Sequence, residues 1–174
     1  ESGRKVALVA TAGWKLYAFE ADGAVRWEGF TYYHPQTMVR VMPGPDGRAR
    51  IAVGTEYHTP LNVLSPDDGK VLWHVWEEMG SEYIATTEYC GIHLTDMLSH
   101  TGADGRPSIV FGTKYNRIYS LDMSDGSKNW EANTGGEVTV MEKVSLMPEC
   151  PPFIVAGTDA GDIVVLSAEG RRAG

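Results

Sequence analysis

The chain has 174 residues, of which 43% are hydrophobic and 22% charged, so it can bury a core and is not a disordered tail. Its 15 Lys and Arg against 23 Asp and Glu give a formal net charge of −8 at pH 7. This balance argues against nucleic-acid binding, because a nucleic-acid groove needs a cationic surface. No apolar run approaches the roughly 18 residues that would indicate a membrane span. The sequence starts without an initiator Met or a hydrophobic signal segment, so we expect a processed protein or a piece of a longer one.

A single template recurs four times along the chain. Each copy has an apolar run that ends in a small residue and Thr, a short loop, a second apolar run and an acidic turn that ends in Gly. The copies run from LVAT (8–11) to FEADG (19–23), from AVGT (52–55) to SPDDG (65–69), from VFGT (110–113) to DMSDG (122–126) and from VAGT (155–158) to LSAEG (166–170). In the first three copies a Trp follows the turn glycine, as Trp27, Trp73 and Trp130.

This repeat predicts a β-propeller. The turn glycines are spaced by 46, 57 and 44 residues, and a period of about 45 residues with several short strands is typical of propeller blades. We therefore predict an all-β fold that forms one domain over residues 1–174. It has four consecutive four-stranded blades, with strands named A to D from the inside outward. The predicted blades cover approximately residues 1–30, 36–76, 92–133 and 137–174.

The first and last predicted blades are incomplete. The first begins with strand B, and the fourth has strands A to C but essentially no strand D. Unpaired sheet edges favour aggregation, and three arrangements would close them. The chain's own ends share a blade, a second copy pairs with the first, or the four blades belong to a larger ring. We favour the larger ring, because the four copies are equally divergent and neither end resembles a cap.

The segments around the turns resemble a known repeat. YAFEADGAVRW (17–27), NVLSPDDGKVLW (62–73) and YSLDMSDGSKNW (119–130) are similar to pyrroloquinoline-quinone-type propeller repeats, which carry an Ala-x-Asp-x-x-Gly-x-x-x-Trp pattern. DGRARIAVGT (46–55) and DGRPSIVFGT (104–113) also resemble the FG-GAP type of propeller repeat. The resemblance implies a quinoprotein-like propeller, which serves in dehydrogenases, outer-membrane assembly scaffolds, integrin-like heads and carbohydrate-active proteins. The fold alone does not choose among these functions. We expect the Trp rings to fill the space between neighbouring blades.

One end of the predicted propeller is rich in polar aromatic residues. In an up-and-down blade the D-to-A and B-to-C loops share one end, and six of the eight Tyr and three of the five His fall in or beside them. The opposite hairpins carry small polar residues, with His100 among them, and are interpreted as plain turns. Functional residues concentrate on loops that a rigid scaffold holds. The predicted ligand-binding residues are Trp14, Tyr32, Tyr33, His34, Tyr57, His58, Tyr83, Tyr89, His93 and Tyr115.

Three functions fit this end of the propeller. The first is a noncatalytic module that binds carbohydrate, since flat rings with polar tips suit sugars. The second is a polysaccharide lyase or another carbohydrate-active enzyme, with His34, His93 and Tyr89 as candidates for acid-base catalysis. The third is a protein–protein interaction scaffold in which the aromatic residues form binding hot spots. The expected partner is therefore a carbohydrate or a protein.

Other chemistry has little support in the sequence. PGPDG and TGADG each keep a single Asp of the pattern that calcium loops need, and no His spacing favours zinc, so no metal is expected. A quinone site would need contacts from a full ring, and there is no Gly-rich phosphate loop, so no cofactor is expected. Cys90 and Cys150 are predicted to be free thiols at opposite blade ends. The low Lys count and aromatic loops indicate an extracellular or periplasmic protein.

Overall fold

The computed structural model describes residues 5–31, 38–55, 61–75, 93–102, 104–147 and 151–173. In these ranges the chain forms β-strands and turns, and it contains no helix long and apolar enough to cross a membrane. The chain divides into two compact units. One consists of Glu1–Met42 and Ala49–Gly91, and the other of Pro43–Arg48 and Ile92–Gly174.

The first unit contains two antiparallel sheets. Sheet 1 has three strands in the order β1 (Ala7–Thr11), β2 (Lys15–Phe19) and β3 (Val25–Phe30). Sheet 2 has four strands in the order β4 (Met38–Pro43), β5 (Ala49–Gly54), β6 (Leu61–Leu64) and β7 (Val71–His74). Each strand pairs with the next one in the chain, which is the up-and-down arrangement of a propeller blade.

The second unit repeats this arrangement. Sheet 3 has four strands in the order β8 (Leu94–Thr101), β9 (Pro107–Thr113), β10 (Arg117–Asp122) and β11 (Lys128–Asn133). Sheet 4 has three strands in the order β12 (Val138–Val144), β13 (Phe153–Thr158) and β14 (Ile163–Leu166). Beyond β14 the described chain makes one isolated antiparallel bridge, between Leu166 and Arg172.

These four sheets confirm the predicted all-β propeller fold with incomplete first and last blades. Sheet 1 has the strands predicted as B, C and D, and sheet 4 has those predicted as A, B and C. The acidic turns have the expected geometry, because Gly23, Gly69, Gly126 and Gly170 all have positive φ angles. The exact limits of the blades and the single domain over 1–174 stay predictions.

The core of the first unit lies between sheets 1 and 2. Alternating side chains of β2 point toward sheet 2, so Leu16 and Ala18 are fully buried, while Trp27 of β3 is 9% exposed. Ile51 and Leu64 of sheet 2 belong to the same apolar cluster. This burial, at about 25 cal/mol for each Å² of apolar surface, is what holds the two sheets together.

The core of the second unit lies between sheets 3 and 4 in the same way. Val110 and Ile118 of sheet 3 are fully buried against residues of sheet 4. A polar contact also joins the two inner strands. The Asp96 carboxylate on β8 accepts hydrogen bonds from the backbone N–H of Met97, at 2.8 Å, and from that of Met141 on β12, at 2.7 Å.

The prediction that His100 lies in a hairpin turn is wrong. Strand β8 continues to Thr101, and His100 pairs with Ser108 across the ladder, because the antiparallel pairing extends further than the Gly-rich sequence suggests. The His100 side chain is 3% exposed, and neither ring nitrogen has a well-aligned hydrogen-bond partner among the described residues. Burial lowers the pKa of this imidazole, although the Ala168 carbonyl lies close enough to oppose that shift.

Candidate functional site

Threonine side chains close the loops between strands B and C in sheets 1, 3 and 4. The Oγ1 hydroxyls of Thr11, Thr113 and Thr158 donate hydrogen bonds to backbone carbonyls four residues later, at 3.2, 3.1 and 3.5 Å respectively. This contact explains why the first, third and fourth copies of the sequence template end their first strand with Thr. It also fixes the base of the loops in which ligand-binding residues were predicted.

Trp14 lies in the loop between β1 and β2, as predicted, and its side chain is 41% exposed. Its φ angle of 65° is in the left-handed region. The equivalent residue of sheet 3, Asn116, has a similar φ angle of 59°. Asn tolerates this conformation, whereas a bulky residue there is strained. The Trp14 carbonyl accepts a hydrogen bond from the Thr31 N–H at 2.9 Å, which fixes the loop against the end of β3. The loop therefore presents an exposed indole on the first unit from a left-handed backbone position.

His93 and Tyr115 come together in the second unit. Their ring centroids are 6.3 Å apart with an interplanar angle of 85°, an edge-to-face arrangement. The Lys114 N–H donates a hydrogen bond to the His93 carbonyl at 3.0 Å, which joins the segment before β8 to the loop between β9 and β10. Both side chains are partly exposed. This is the one pair of predicted site residues that the described ranges bring into contact.

Seven of the ten predicted ligand-binding residues, and both cysteines, lie outside the described residues. They are Tyr32, Tyr33, His34, Tyr57, His58, Tyr83, Tyr89, Cys90 and Cys150. Their grouping at one end of the propeller therefore stays a prediction.

Tryptophan fills the space between neighbouring sheets within each unit, as predicted. The Trp27 indole N–H of sheet 1 donates to the Pro66 carbonyl of sheet 2 at 2.9 Å. The Trp130 N–H of sheet 3 donates to the Ala168 carbonyl of sheet 4 at 3.1 Å. Each ring lies on the turn glycine of the next sheet. A Cβ atom built on Gly69 or on Gly170 would be 2.5 Å from the indole.

The hairpin end of the second unit carries a polar groove that the sequence interpretation missed. It has a volume of about 310 Å³ and is lined in part by Arg106, Asn129, Trp130 and Glu169. Arg106 is held by its turn, where its backbone N–H donates to the Asp104 carboxylate at 3.0 Å and its guanidinium Nε lies 3.5 Å from it. The repeated Asp-Gly-Arg triplet, at residues 46–48 and 104–106, was the sequence signal for this feature.

A second groove, of about 610 Å³, lies on the first unit beside Phe30 and Val71. Its charges are paired locally. The Lys70 ammonium, 2.9 Å from the Asp68 carboxylate, lowers the pKa of that carboxyl group. Lys15, at 2.5 Å, likewise lowers the pKa of Glu28. The groove therefore offers apolar surface rather than a net charge.

Within the described ranges, no three His, Cys, Asp or Glu side chains are grouped so that they could hold a metal ion. The expectation that the protein uses no metal and no cofactor stays a prediction.

Comparison with solved structures shows the same fold. BamB from Moraxella catarrhalis is 19% identical with a TM-score of 0.61, and the match covers 97% of this chain and 48% of that one. BBS1N in complex with ARL6DN is 12% identical with a TM-score of 0.64, covering 95% and 44%. The computationally designed Ika8 protein is 13% identical with a TM-score of 0.67, covering 99% and 46%. The chain thus spans about half the length of these three structures, and at such identities the likeness concerns the fold alone.

Comparison with protein families is more specific. No curated protein sequence matches the chain. The family model described as outer membrane protein assembly factor BamB matches residues 2–142, which is most of the chain. The chain therefore belongs to this family of pyrroloquinoline-quinone-type propeller repeats.

Proposed function

We propose that the chain is a noncatalytic protein-interaction module that acts in the assembly of outer membrane proteins. The observation that carries this proposal is the family match over residues 2–142, because the family is described by that assembly role. The same role implies a periplasmic location at the outer membrane. A propeller suits it, since a rigid ring of sheets presents several loops and grooves to protein partners.

The groove at the hairpin end of the second unit is the described surface that best supports a protein partner. It combines an indole edge from Trp130 with the guanidinium of Arg106, which is mostly exposed. Trp and Arg are the residue types that dominate protein–protein binding energy. Arg106 is also pre-oriented by its contact with Asp104, which reduces the entropy that binding would cost.

A binding measurement tests this proposal. The immobilised chain is exposed to the purified, detergent-solubilised outer-membrane protein assembly machinery, and the equilibrium affinity is measured. We expect saturable binding that Arg106→Ala weakens about tenfold. Arg48→Ala is the matched control, because Arg48 occupies the same place in the equivalent Asp-Gly-Arg hairpin. A machinery that does not bind the unchanged chain would contradict the proposal.

Carbohydrate binding is a second candidate, which the conformation of Trp14 favours. An exposed indole kept at a strained backbone position is a common property of functional sites, and indole faces stack on sugar rings. The His93 and Tyr115 pair offers a second aromatic surface on the other unit. The lyase hypothesis depends on His34, His93 and Tyr89 and stays a prediction.

Retention on immobilised polysaccharides separates these candidates. Carbohydrate binding predicts that Trp14→Ala and Tyr115→Ala each reduce retention, whereas Arg106→Ala leaves it unchanged. Retention that survives both aromatic substitutions would exclude these residues as the sugar site. For the lyase, incubation with uronate polymers should produce unsaturated ends that absorb ultraviolet light.

A further inference from the structure

The groove at the hairpin end of the second unit lies between two consecutive sheets, 3 and 4, and carries more negative than positive charge. Its lining includes one guanidinium, from Arg106, and three carboxylates, from Asp104, Asp122 and Glu169. The guanidinium lies 3.5 Å from the Asp104 carboxylate, so these two charges offset each other. Asp122 and Glu169 each accept a hydrogen bond from a serine of their own turn. Neither forms an ion pair with any residue that the structure describes.

Sheet 1 contains the counterpart of the Asp122 turn. In sheet 3 the Asp122 N–H donates to the Ser127 carbonyl at 2.8 Å, which closes the turn between β10 and β11. In sheet 1 the Glu20 N–H donates to the Ala24 carbonyl at the same distance and closes the turn between β2 and β3. Glu20 therefore occupies in sheet 1 the place that Asp122 occupies in sheet 3.

In the first unit a guanidinium of the chain itself lies beside this carboxylate. Arg26 comes two residues after the carbonyl that closes the turn, and its Nε is 3.9 Å from the Glu20 carboxylate. Its counterpart in sheet 3 is Asn129, which also comes two residues after the closing carbonyl and one before the tryptophan. The Asn129 Nδ2 donates to Ser120 Oγ at 3.4 Å. Where the first unit has a cation, the second unit thus has a neutral amide that lines a groove.

The other unpaired carboxylate of the groove shows the same difference between the units. Asp68 and Glu169 each immediately precede the turn glycine that lies under an indole. In sheet 2 the Lys70 ammonium lies 2.9 Å from the Asp68 carboxylate. Arg171 has the corresponding place in sheet 4, but within the described chain it forms no ion pair with Glu169. In the first unit both positions are therefore neutralised by the chain, and in the second unit neither is.

The remaining groups of the groove also suit a cation. The Trp130 indole is partly exposed and lines the groove, and indole rings attract guanidinium and ammonium groups. Because the Asn129 N–H is used by Ser120, its carbonyl oxygen remains as an acceptor. Two carboxylates and an amide oxygen together match a guanidinium, which has donors and no acceptor. A volume of about 310 Å³ is at the lower end for ligand sites, which suits a single long side chain.

We propose that this groove binds an arginine side chain of the partner protein. Its guanidinium pairs with Asp122 and Glu169, as that of Arg26 pairs with Glu20 in the first unit. Arginine is favoured over lysine because it combines carboxylate pairing with stacking on an aromatic ring. The inference rests on the proposed function, since it names the chemistry of the partner at the surface proposed there.

Titration with a short peptide tests the inference without the assembly machinery. The probe is the peptide acetyl-Gly-Arg-Gly-amide, and its control has citrulline in place of arginine, which keeps the shape of the side chain but removes the charge. The NMR signal of the Trp130 indole N–H reports binding to the unchanged chain. We expect a saturable shift with the arginine peptide at about millimolar concentration. The citrulline peptide should cause no saturable shift.

Three variants locate the binding. Asn129→Arg should weaken binding at least about tenfold, because it supplies the chain's own guanidinium beside Asp122, as Arg26 does beside Glu20. Asp122→Asn should weaken it about threefold, since it removes one exposed charge pair. Glu20→Gln is the matched control, because it removes the same charge from the equivalent turn of the first unit, and it should leave the affinity unchanged. Thermal unfolding of every variant verifies its fold.

The opposing outcomes separate this inference from the proposed function. An arginine peptide that does not bind, or that binds Asn129→Arg as tightly as the unchanged chain, overturns the inference. Equal binding of the citrulline peptide overturns it as well. In each of these cases, binding of the assembly machinery to the unchanged chain would still support the proposed function. Arginine-selective binding without binding of the machinery would instead support the arginine site and contradict the proposed function.

Discussion

The Trp27 contact of the first unit and the Trp130 contact of the second use the same motif, but the backbones of the two sheets approach each other differently. In both, the indole N–H donates to a turn carbonyl and the ring lies on a glycine with positive φ. Two residues after the Trp, however, the first unit has Gly29. A Cβ atom there would be 2.5 Å from the Gly69 carbonyl oxygen. The second unit has Ala132 at that place. Close backbone approach thus holds one pair of sheets, while the Asp96 bond to Met141 supports the other.

The largest effect should come from adding a methyl group under each indole. We expect Gly69→Ala to lower the free energy of unfolding by about 4 kcal/mol and Gly170→Ala by about 3 kcal/mol, since each combines a positive-φ penalty with overpacking. Gly69 should be costlier because its new Cβ would also lie 3.1 Å from the Gly29 Cα, which is backbone and cannot rotate away. Urea unfolding at equilibrium measures both.

Gly23→Ala is the matched control for this pair. Gly23 has the same place in the repeat and a φ of 85°, but no atom lies within 4 Å of its built Cβ. Its substitution should cost only the backbone penalty, about 1 kcal/mol. Equal losses for all three glycines would show that turn conformation, and not the indole contact, explains their presence.

A smaller effect should separate the residues that follow the two tryptophans. Gly29→Ala should destabilise the chain by about 2 kcal/mol, because its methyl group would meet the Gly69 backbone. Ala132→Gly in the second unit should cost less, about 0.5 to 1 kcal/mol, from backbone entropy and lost packing. Urea unfolding again measures the change. If Gly29→Ala does not change the free energy of unfolding, close backbone approach does not distinguish the contact between sheets 1 and 2 from that between sheets 3 and 4.

The sequence predicted these contacts because their signals are local. An Asp-Gly turn and an alternating strand together specify one hairpin. A Trp at a fixed offset from the turn then specifies the side chain that packs against the next sheet. The position of His100 could not be read in this way. Gly102, Asp104 and Gly105 indicate a turn, but pairing of His100 with Ser108 and of Thr101 with Pro107 extends the strands into that segment.

The candidate site was only partly predictable for the same reason. Trp14 and Tyr115 lie in the loops that the repeat assigns to them. The contact between His93 and Tyr115 depends on how a loop meets the segment before another strand, which no local pattern encodes. The groove at Arg106 depends on two sheets together, since Glu169 comes from sheet 4. Its hairpin alone looks like an ordinary turn.

The smallest expected effect is an acid sensitivity at the contact between sheets 3 and 4. Burial lowers the pKa of His100 in the folded state, and Lys143 and Glu169 are the charged groups near it. The unfolded imidazole, with a pKa of about 6.5, then binds protons more readily. The stabilisation is complete above that value and is lost as the pH falls through the folded pKa. We therefore expect the free energy of unfolding to fall as the pH is lowered from about 7 to about 5.

His100→Val tests this directly, because Val144 is the equivalent residue of sheet 4. The variant should flatten the dependence of the unfolding free energy on pH over that interval. His74→Gln is the control. Burial also lowers the pKa of His74, but this residue lies on β7 in the first unit, and the Trp27 contact does not involve it. The opposite result is that the pH dependence of the unfolding free energy disappears with His74→Gln and persists in His100→Val. It would show that the acid sensitivity belongs to the first unit and contradict this prediction.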